Sequence, residues 1–347
     1  MVEYEPRYKK YAQKQVQQVK FCLLQAREYA VAAESVTLAT KPVLLYYSCM
    51  SLALAEILLK QSGDSSLDKA RKLHNHHGLI LCLDEKAIRK SDDFASAARD
   101  IVAQPIIRGS GQRAGTFELW HQSARALPGV GKIIDQHLTG GTTIGYKVII
   151  TPEDIRLPLM KVEGINLLEA MSCVPGMSDV LSVYGQIDQF VRGSSTLSRY
   201  FNGLMQIDLI INLTTQYNLN SVLNRFKMVR PNPDNFDFAE FGNGGHIQIR
   251  SDSFGFPVAK TPDCCNTHED EVVFCRNETP QNDFCYIYLA LYMLGNFCRY
   301  YPDLWLKAVE QNYPIATSAE RFIELIESKM PLCTLSEMSR TYYVPKS

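Results

Sequence analysis

The rhythm of apolar and polar positions divides this chain into helical ends and a strand-rich middle. From Lys9 to Glu34, the residues Val16, Val19, Leu23, Ala26 and Tyr29 recur at three- and four-residue steps, which predicts a long helix. Lys9, Lys10, Lys14, Gln15, Gln18 and Arg27 decorate its remainder. After a break at Thr37–Thr40 comes Lys41–Lys60, where only Ser48, Ser51 and Glu56 are clearly polar between Pro42 and Leu59. A helix apolar on nearly all sides is buried on most of them. Pro42 suits its first turn, where a missing N–H costs nothing. This segment is expected to be the central helix of a bundle. Ser65 and Ser66 can cap a short third helix, with Asp68 in its first turn and Gly78 just past its end.

Beyond Leu81 the pattern shortens. Ile101–Ile107, interrupted by Pro105, reads as a strand, as do Thr116–Trp120 and Tyr146–Thr151, with glycines between them. Asn166–Met171 reads as a helix ending before Pro175, and Ser221–Val229 as a short one. Leu204–Leu213 fits a buried strand or a buried helix. His246–Arg250 alternates like a strand, and Val272–Arg276 is its expected partner. The end is helical again: Asp283–Tyr301, then a helix opened by Pro302 and running to Gln311, then amphipathic Ala316–Lys329. The predicted class is mainly α (α+β). A helical bundle from the two ends, 1–82 and 281–347, would carry an antiparallel β-rich insertion with short helices over 83–280.

Composition narrows the picture. The 347 residues are 46% hydrophobic, as in a packed globular protein, with net charge −1. That balance argues against a wholesale electrostatic nucleic-acid binder and leaves a local basic site open. The ten cysteines are scattered, and MVEYEPRYKK opens no secretory signal. Apolar runs such as Tyr286–Leu294 are too short for a bilayer. These features lead us to expect a cytoplasmic protein with reduced thiols and no membrane contact.

The densest titratable group follows the central helix: Lys69, Arg71, Lys72, His74, His76 and His77. Metal-free RNA cleavage needs a base near the 2′-OH, an acid near the leaving oxygen and a cation for the developing charge. His and Arg supply these near neutral pH. On a regular helix, residues five apart lie about 140° round the axis, so Arg71 and His76 converge only if the helix ends between them, if Arg71 reaches across, or if two protomers share the site. The competing reading is structural: the cations complement a helix C-terminus and the histidines hydrogen-bond within a helix joint.

Other groups are weaker. Arg108-Gly-Ser-Gly-Gln-Arg113-Ala-Gly115 can rim a phosphate, but it is neither a Walker A loop nor a dinucleotide fingerprint and reads first as a mobile hairpin connection. Cys264, Cys265, His268 and Cys275 are zinc-ligand types without a paired Cys-x2-Cys, so an acidic loop before a strand is expected instead. Asp234, Asp237 and Glu240 read as a solvated turn rather than a divalent-ion site. Arg299, Tyr300 and Tyr301, near Trp305, either stack a base or pack a helix end. No metal or other cofactor is expected.

Lys41-Pro42, Leu44-Leu45-Tyr46-Tyr47, His77-Gly78, Gly115-Thr116-Phe117, Leu167-Leu168…Val174-Pro175, Leu294–Tyr301 with Leu304-Trp305, and Ile326–Pro331 occur in an order and spacing that resembles YaaC-like proteins over roughly residues 35–332. Lys41–Ile80 also resembles the helix pair of HEPN domains, many of which are RNases of toxin, CRISPR-associated and antiviral systems. Their signature is Arg, four to six residues, then His. Arg71 with His76 or His77 fits it, although Lys72 stands where Asn, Asp or His is usual.

The resemblance implies a metal-independent ribonuclease effector of antiviral defence or a toxin system. Arg71, His76, His77 and His74 would be catalytic, and Lys72, Arg108, Arg113 and Arg299 would bind the RNA. The alternative is a non-catalytic interaction subunit that binds a protein partner, or a second copy, through helical surface. The apolar surface of Asp283–Gln311 suggests more than one core can bury.

Overall fold

A computed structural model of the chain describes residues 9–60, 76–90, 97–109, 111–124, 131–135, 144–148, 157–186, 190–199, 205–212, 236–241, 244–251, 264–268, 271–275, 281–339 and 341–342. In chain order the elements begin with α1 (Lys9–Glu34), α2 (Lys41–Lys60), β1 (Leu79–Cys82), α3 (Glu85–Lys90), β2 (Val102–Pro105) and α4 (Thr116–Ser123). Next come β3 (Gly131–Asp135), β4 (Ile144–Val148), β5 (Ile165–Asn166), α5 (Leu167–Ser172) and α6 (Ser178–Leu181). The strands β6 (Phe190–Arg199), β7 (Met205–Asn212), β8 (Phe236–Phe241), β9 (Gly244–Ser251), β10 (Cys264–His268) and β11 (Glu271–Cys275) follow. The chain ends with α7 (Asp283–Tyr300), α8 (Pro302–Glu310), α9 (Pro314–Ser339) and β12 (Thr341–Tyr342). The fold is mainly α, of the α+β class.

Contacts divide the chain into two units. The first holds 1–124, 159–187 and 283–334, and α2 is its axis. That helix packs on α1, α4 and α7. Its few polar residues are absorbed locally. Ser48 donates to the Ala26 carbonyl of α1 (2.8 Å), and Ser51 to its own Tyr47 carbonyl (2.9 Å). Glu56 accepts from the Trp120 indole of α4 (2.8 Å). Gly295 of α7 lets the two central helices approach: a Cβ there would lie 3.2 Å from the Tyr46 Cβ and 3.4 Å from the Pro42 carbonyl. The small sheet β1-β2-β5 is antiparallel, and Asn166 caps α5 by accepting from the Glu169 N–H (2.8 Å).

The second unit holds 125–158, 188–282 and 335–347. It contains an antiparallel sheet ordered β10-β11-β6-β7-β9-β8 and a smaller one ordered β12-β4-β3. β6, β7 and β9 run in unbroken register over Met205–Asn212.

Several expectations change. Thr116–Trp120 is helix, not strand. Its short alternation also satisfies i, i+4, and Thr116, Phe117, Trp120 and His121 are buried as a helical face. Leu204–Leu213 resolves as strand β7. β11 pairs with β6 and β10 rather than with β9, because β7 and β8 occupy both edges of β9. Asp237 and Glu240 lie on strand β8, where alternating Phe236 and Phe238 override the acidic residues; Asp234 is outside the described residues. Cys264, Cys265, His268 and Cys275 lie on the paired strands β10 and β11, not in a loop. The last long helix runs through Pro331, which removes one N–H without ending it. The expected helices at Ser65–Gly78 and Ser221–Val229 fall largely or wholly outside the described residues.

The apolar surface of α7 is not in excess: nearly every residue from Phe284 to Cys298 is buried. Contrary to expectation, one segment does have the length and apolarity to cross a membrane. It is α2, of which 67% is buried inside the protein. Burial raises its Cys49 thiol, and those of Cys285 and Cys298 on α7, well above their ordinary value.

Candidate active site

Two glycines set the geometry of the site. Gly78 (φ +87) and Gly115 (φ +104) cross so closely that a Cβ on Gly115 would lie 2.3 Å from the Gly78 Cα and 2.7 Å from the His76 Nδ1. Both take the left-handed backbone that favours glycine. The crossing lets α4 begin against His76-His77: the Thr116 and Phe117 N–H groups donate to the His76 and His77 carbonyls, each at 3.0 Å. These are first-turn donors that a helix leaves unpaired, and Gly115 offers no side-chain cap. The Gly78 carbonyl accepts from the Ile106 N–H at 3.0 Å. The backbone of both histidines is therefore pinned, while their side chains remain half-buried.

Each imidazole meets a different neighbour. Arg108 Nη2 lies 3.3 Å from His76 Nε2. A guanidinium only donates, so Nε2 is the acceptor there and the neutral ring carries its proton on Nδ1. His76 Nδ1 is buried without a hydrogen-bond partner. Arg108 is placed by a tight hairpin in which Ile107 and Arg113 bridge and the Arg108 N–H donates to the Gln112 carbonyl (3.0 Å).

His77 Nδ1 lies 2.8 Å from the Tyr46 hydroxyl of α2. Burial lowers the His77 pKa, and the nearby Arg299 and His76 lower it further. Its ring therefore favours the neutral form. Tyr46 is wedged edge-on between Tyr288 and Tyr292 of α7 (centroids 5.8 and 5.7 Å), and burial holds its hydroxyl protonated. Tyr292 donates to the Leu79 carbonyl at 2.8 Å, which fixes the start of β1 on α7.

Arg299, at the end of α7, donates to the Tyr47 hydroxyl at 2.9 Å. Arg108 and Arg299 are exposed, and among the described residues neither forms an ion pair with a carboxylate. Of the other exposed arginines, Arg89 pairs with Glu85 and Asp303 and Arg321 with Glu324, whereas Arg27 and Arg99 have no ion pair with a carboxylate among the described residues.

His76, His77, Arg108 and Arg299 thus come together at one lip of the first unit. Arg113 does not join them; it donates to the Met160 carbonyl at 2.6 Å and holds the hairpin base. Arg71, Lys72 and His74 lie outside the described residues. Sequence reasoning missed Tyr46 and Tyr47 as site residues. Their signal was two phenols in an otherwise aliphatic helix. Among the described residues, no group of three or more His, Cys, Asp or Glu side chains could hold a metal ion.

No curated protein and no solved structure matches this chain. The sequence model of one family, described as YaaC-like protein, matches residues 3–338, so the chain belongs to the YaaC-like family.

Proposed function

We propose that the lip around His76 and His77 is a metal-independent ribonuclease site. The observation that carries this reading is the pair of guanidiniums, Arg108 and Arg299, that flank adjacent imidazoles and meet no carboxylate among the described residues. A phosphodiester supplies the missing negative charge. His77, kept neutral by burial, accepts the 2′-OH proton. The 2′ oxygen attacks phosphorus, and the 5′ oxygen leaves with a proton from His76. Arg108 turns from His76 Nε2 to the phosphate as substrate binds, and this lets Nε2 take up a proton from solvent and pass it to that oxygen, while His77 later returns the 2′-OH proton to solvent. Arg71 stabilises the developing charge, with Lys72 on the phosphate and His74 assisting. Their spacing to His76, which resembles the HEPN signature, supports those roles.

The site of action is the cytoplasm, in antiviral defence or a toxin system. The test is RNA cleavage by the full chain and its variants. His76→Ala is expected to lose about 10²–10⁴-fold in rate while remaining folded by circular dichroism. Arg71→Lys is also expected to fail, because a compact ammonium does not replace the planar fork on phosphate. Full activity in Arg71→Ala/His76→Ala would refute the assignment.

A second reading, a subunit that binds a protein partner or its own copy, is supported by α1. Val16, Phe21 and Val31 are 67%, 54% and 49% exposed on that helix. Light scattering of the wild type against Val16→Glu/Val31→Glu tests it: a dimer that the charges dissociate is expected, and a monomer in both contradicts self-association.

A further inference from the structure

The end of α7 carries more aromatic surface than its packing uses. Tyr301 stacks on Phe297 (centroids 5.7 Å, 26° between planes), and Trp305 meets Phe297 edge-on at 6.2 Å. Trp305 also donates to the Leu38 carbonyl at 3.2 Å and is fully buried. These two residues close the helix end. Tyr300 does no such work: it is 60% exposed, and the Arg299 guanidinium lies over its ring, 5.1 Å from the centroid. The same guanidinium bonds Tyr47, and Tyr47 stacks on half-exposed Tyr29 (5.5 Å, 29°). Beside His77, then, stand a solvent-facing ring and a guanidinium lying over it, next to a second stacked pair of rings.

Planar cations and phenols in this arrangement bind a planar aromatic ligand by stacking, whatever its hydrogen-bonding edge. We propose that Tyr300, Arg299 and Tyr47 form a subsite for the nucleobase next to the phosphate held at the lip. The proposal rests on the phosphodiester reading above and names the part of the substrate it left open. Tyr300 supplies the stacking face. Arg299 serves both groups, with its plane toward the base and its charge toward the phosphate. Tyr47 fixes the guanidinium through its hydroxyl.

The experiment is calorimetric titration of the full-length protein with adenosine 5′-monophosphate and with ribose 5-phosphate, which has the same phosphate and sugar but no base. The nucleotide is expected to bind about tenfold more tightly, the worth of one base–aromatic stack. Tyr300→Ala should remove that preference, so that the nucleotide and ribose 5-phosphate bind that variant equally, while Tyr300→Phe should keep it. An exposed residue at a helix end tolerates either change without unfolding. Equal binding of the two compounds overturns the subsite and leaves the phosphate site standing. A preference that survives Tyr300→Ala overturns it as well. Binding of neither compound overturns both. A Tyr300-dependent preference in a protein that cleaves no RNA keeps the subsite and removes the nuclease.

Discussion

Glu56 and the lip around His76 are both polar places at the edges of α2, and they treat charge in opposite ways. Glu56 is 2% exposed; its carboxylate takes the Trp120 indole at 2.8 Å and lies 3.5 Å from the Lys60 ammonium, which in turn donates to the Ser123 carbonyl at 3.1 Å. Every charge there has a partner of opposite sign, as burial demands. At the lip, Arg108 touches an imidazole and Arg299 a phenol. Neither contact neutralises a guanidinium. Paired charges inside specify the fold. The exposed guanidiniums meet no carboxylate among the described residues.

This comparison can be tested through unfolding free energies. Glu56→Ala removes the carboxylate that Lys60 and the indole share and should cost about 3–5 kcal/mol by denaturant unfolding; a loss under about 1 kcal/mol would show that the interior pair is not structural. Gly115→Ala must push a Cβ into the Gly78 backbone and should cost at least about 2 kcal/mol while displacing His76. Tyr46→Phe removes only the hydroxyl on His77 and should cost about 1 kcal/mol.

His77 adds a smaller, pH-dependent contribution. Its folded pKa is lowered, so the fold favours the neutral ring. The stability it supplies is fully present above the unfolded value of about 6.5 and is lost as pH falls below that value through the folded one. His77→Gln should flatten that acid limb in melting curves. Arg108→Gln and Arg299→Gln should change stability by less than about 0.5 kcal/mol, in contrast to Glu56. A large loss in either would make the lip a structural joint like the interior.

The helical ends were readable because local periodicity carries their information. α1 and α2 run over Lys9–Glu34 and Lys41–Lys60, as the apolar rhythm predicts. Thr116–Trp120 was misread because five residues of alternation serve a strand or a buried helix equally well. The histidine cluster was visible as residue types, but its geometry was not. His77 meets Tyr46 across 31 positions, His76 meets Arg108 across 32, and Arg299 meets Tyr47 across 252. No local pattern encodes such pairs; the close helix approach at Gly295 and the glycine crossing at Gly115 create them. Arg113 looked equivalent to Arg108 in the same loop, yet the hairpin turns it to Met160.

The chemistry assigned to the lip is tested most directly by the ends it leaves on RNA. The measurement is digestion of a short RNA, and of the same oligonucleotide with a 2′-deoxy group at the scissile position, in excess EDTA, with mass spectrometry of the products. The account predicts cleavage of the RNA to a 2′,3′-cyclic phosphate and a 5′-hydroxyl, no cleavage at the deoxy position, and loss of the reaction in His76→Ala/His77→Ala. Equal cleavage of both oligonucleotides, or undiminished activity in that double variant, would contradict it.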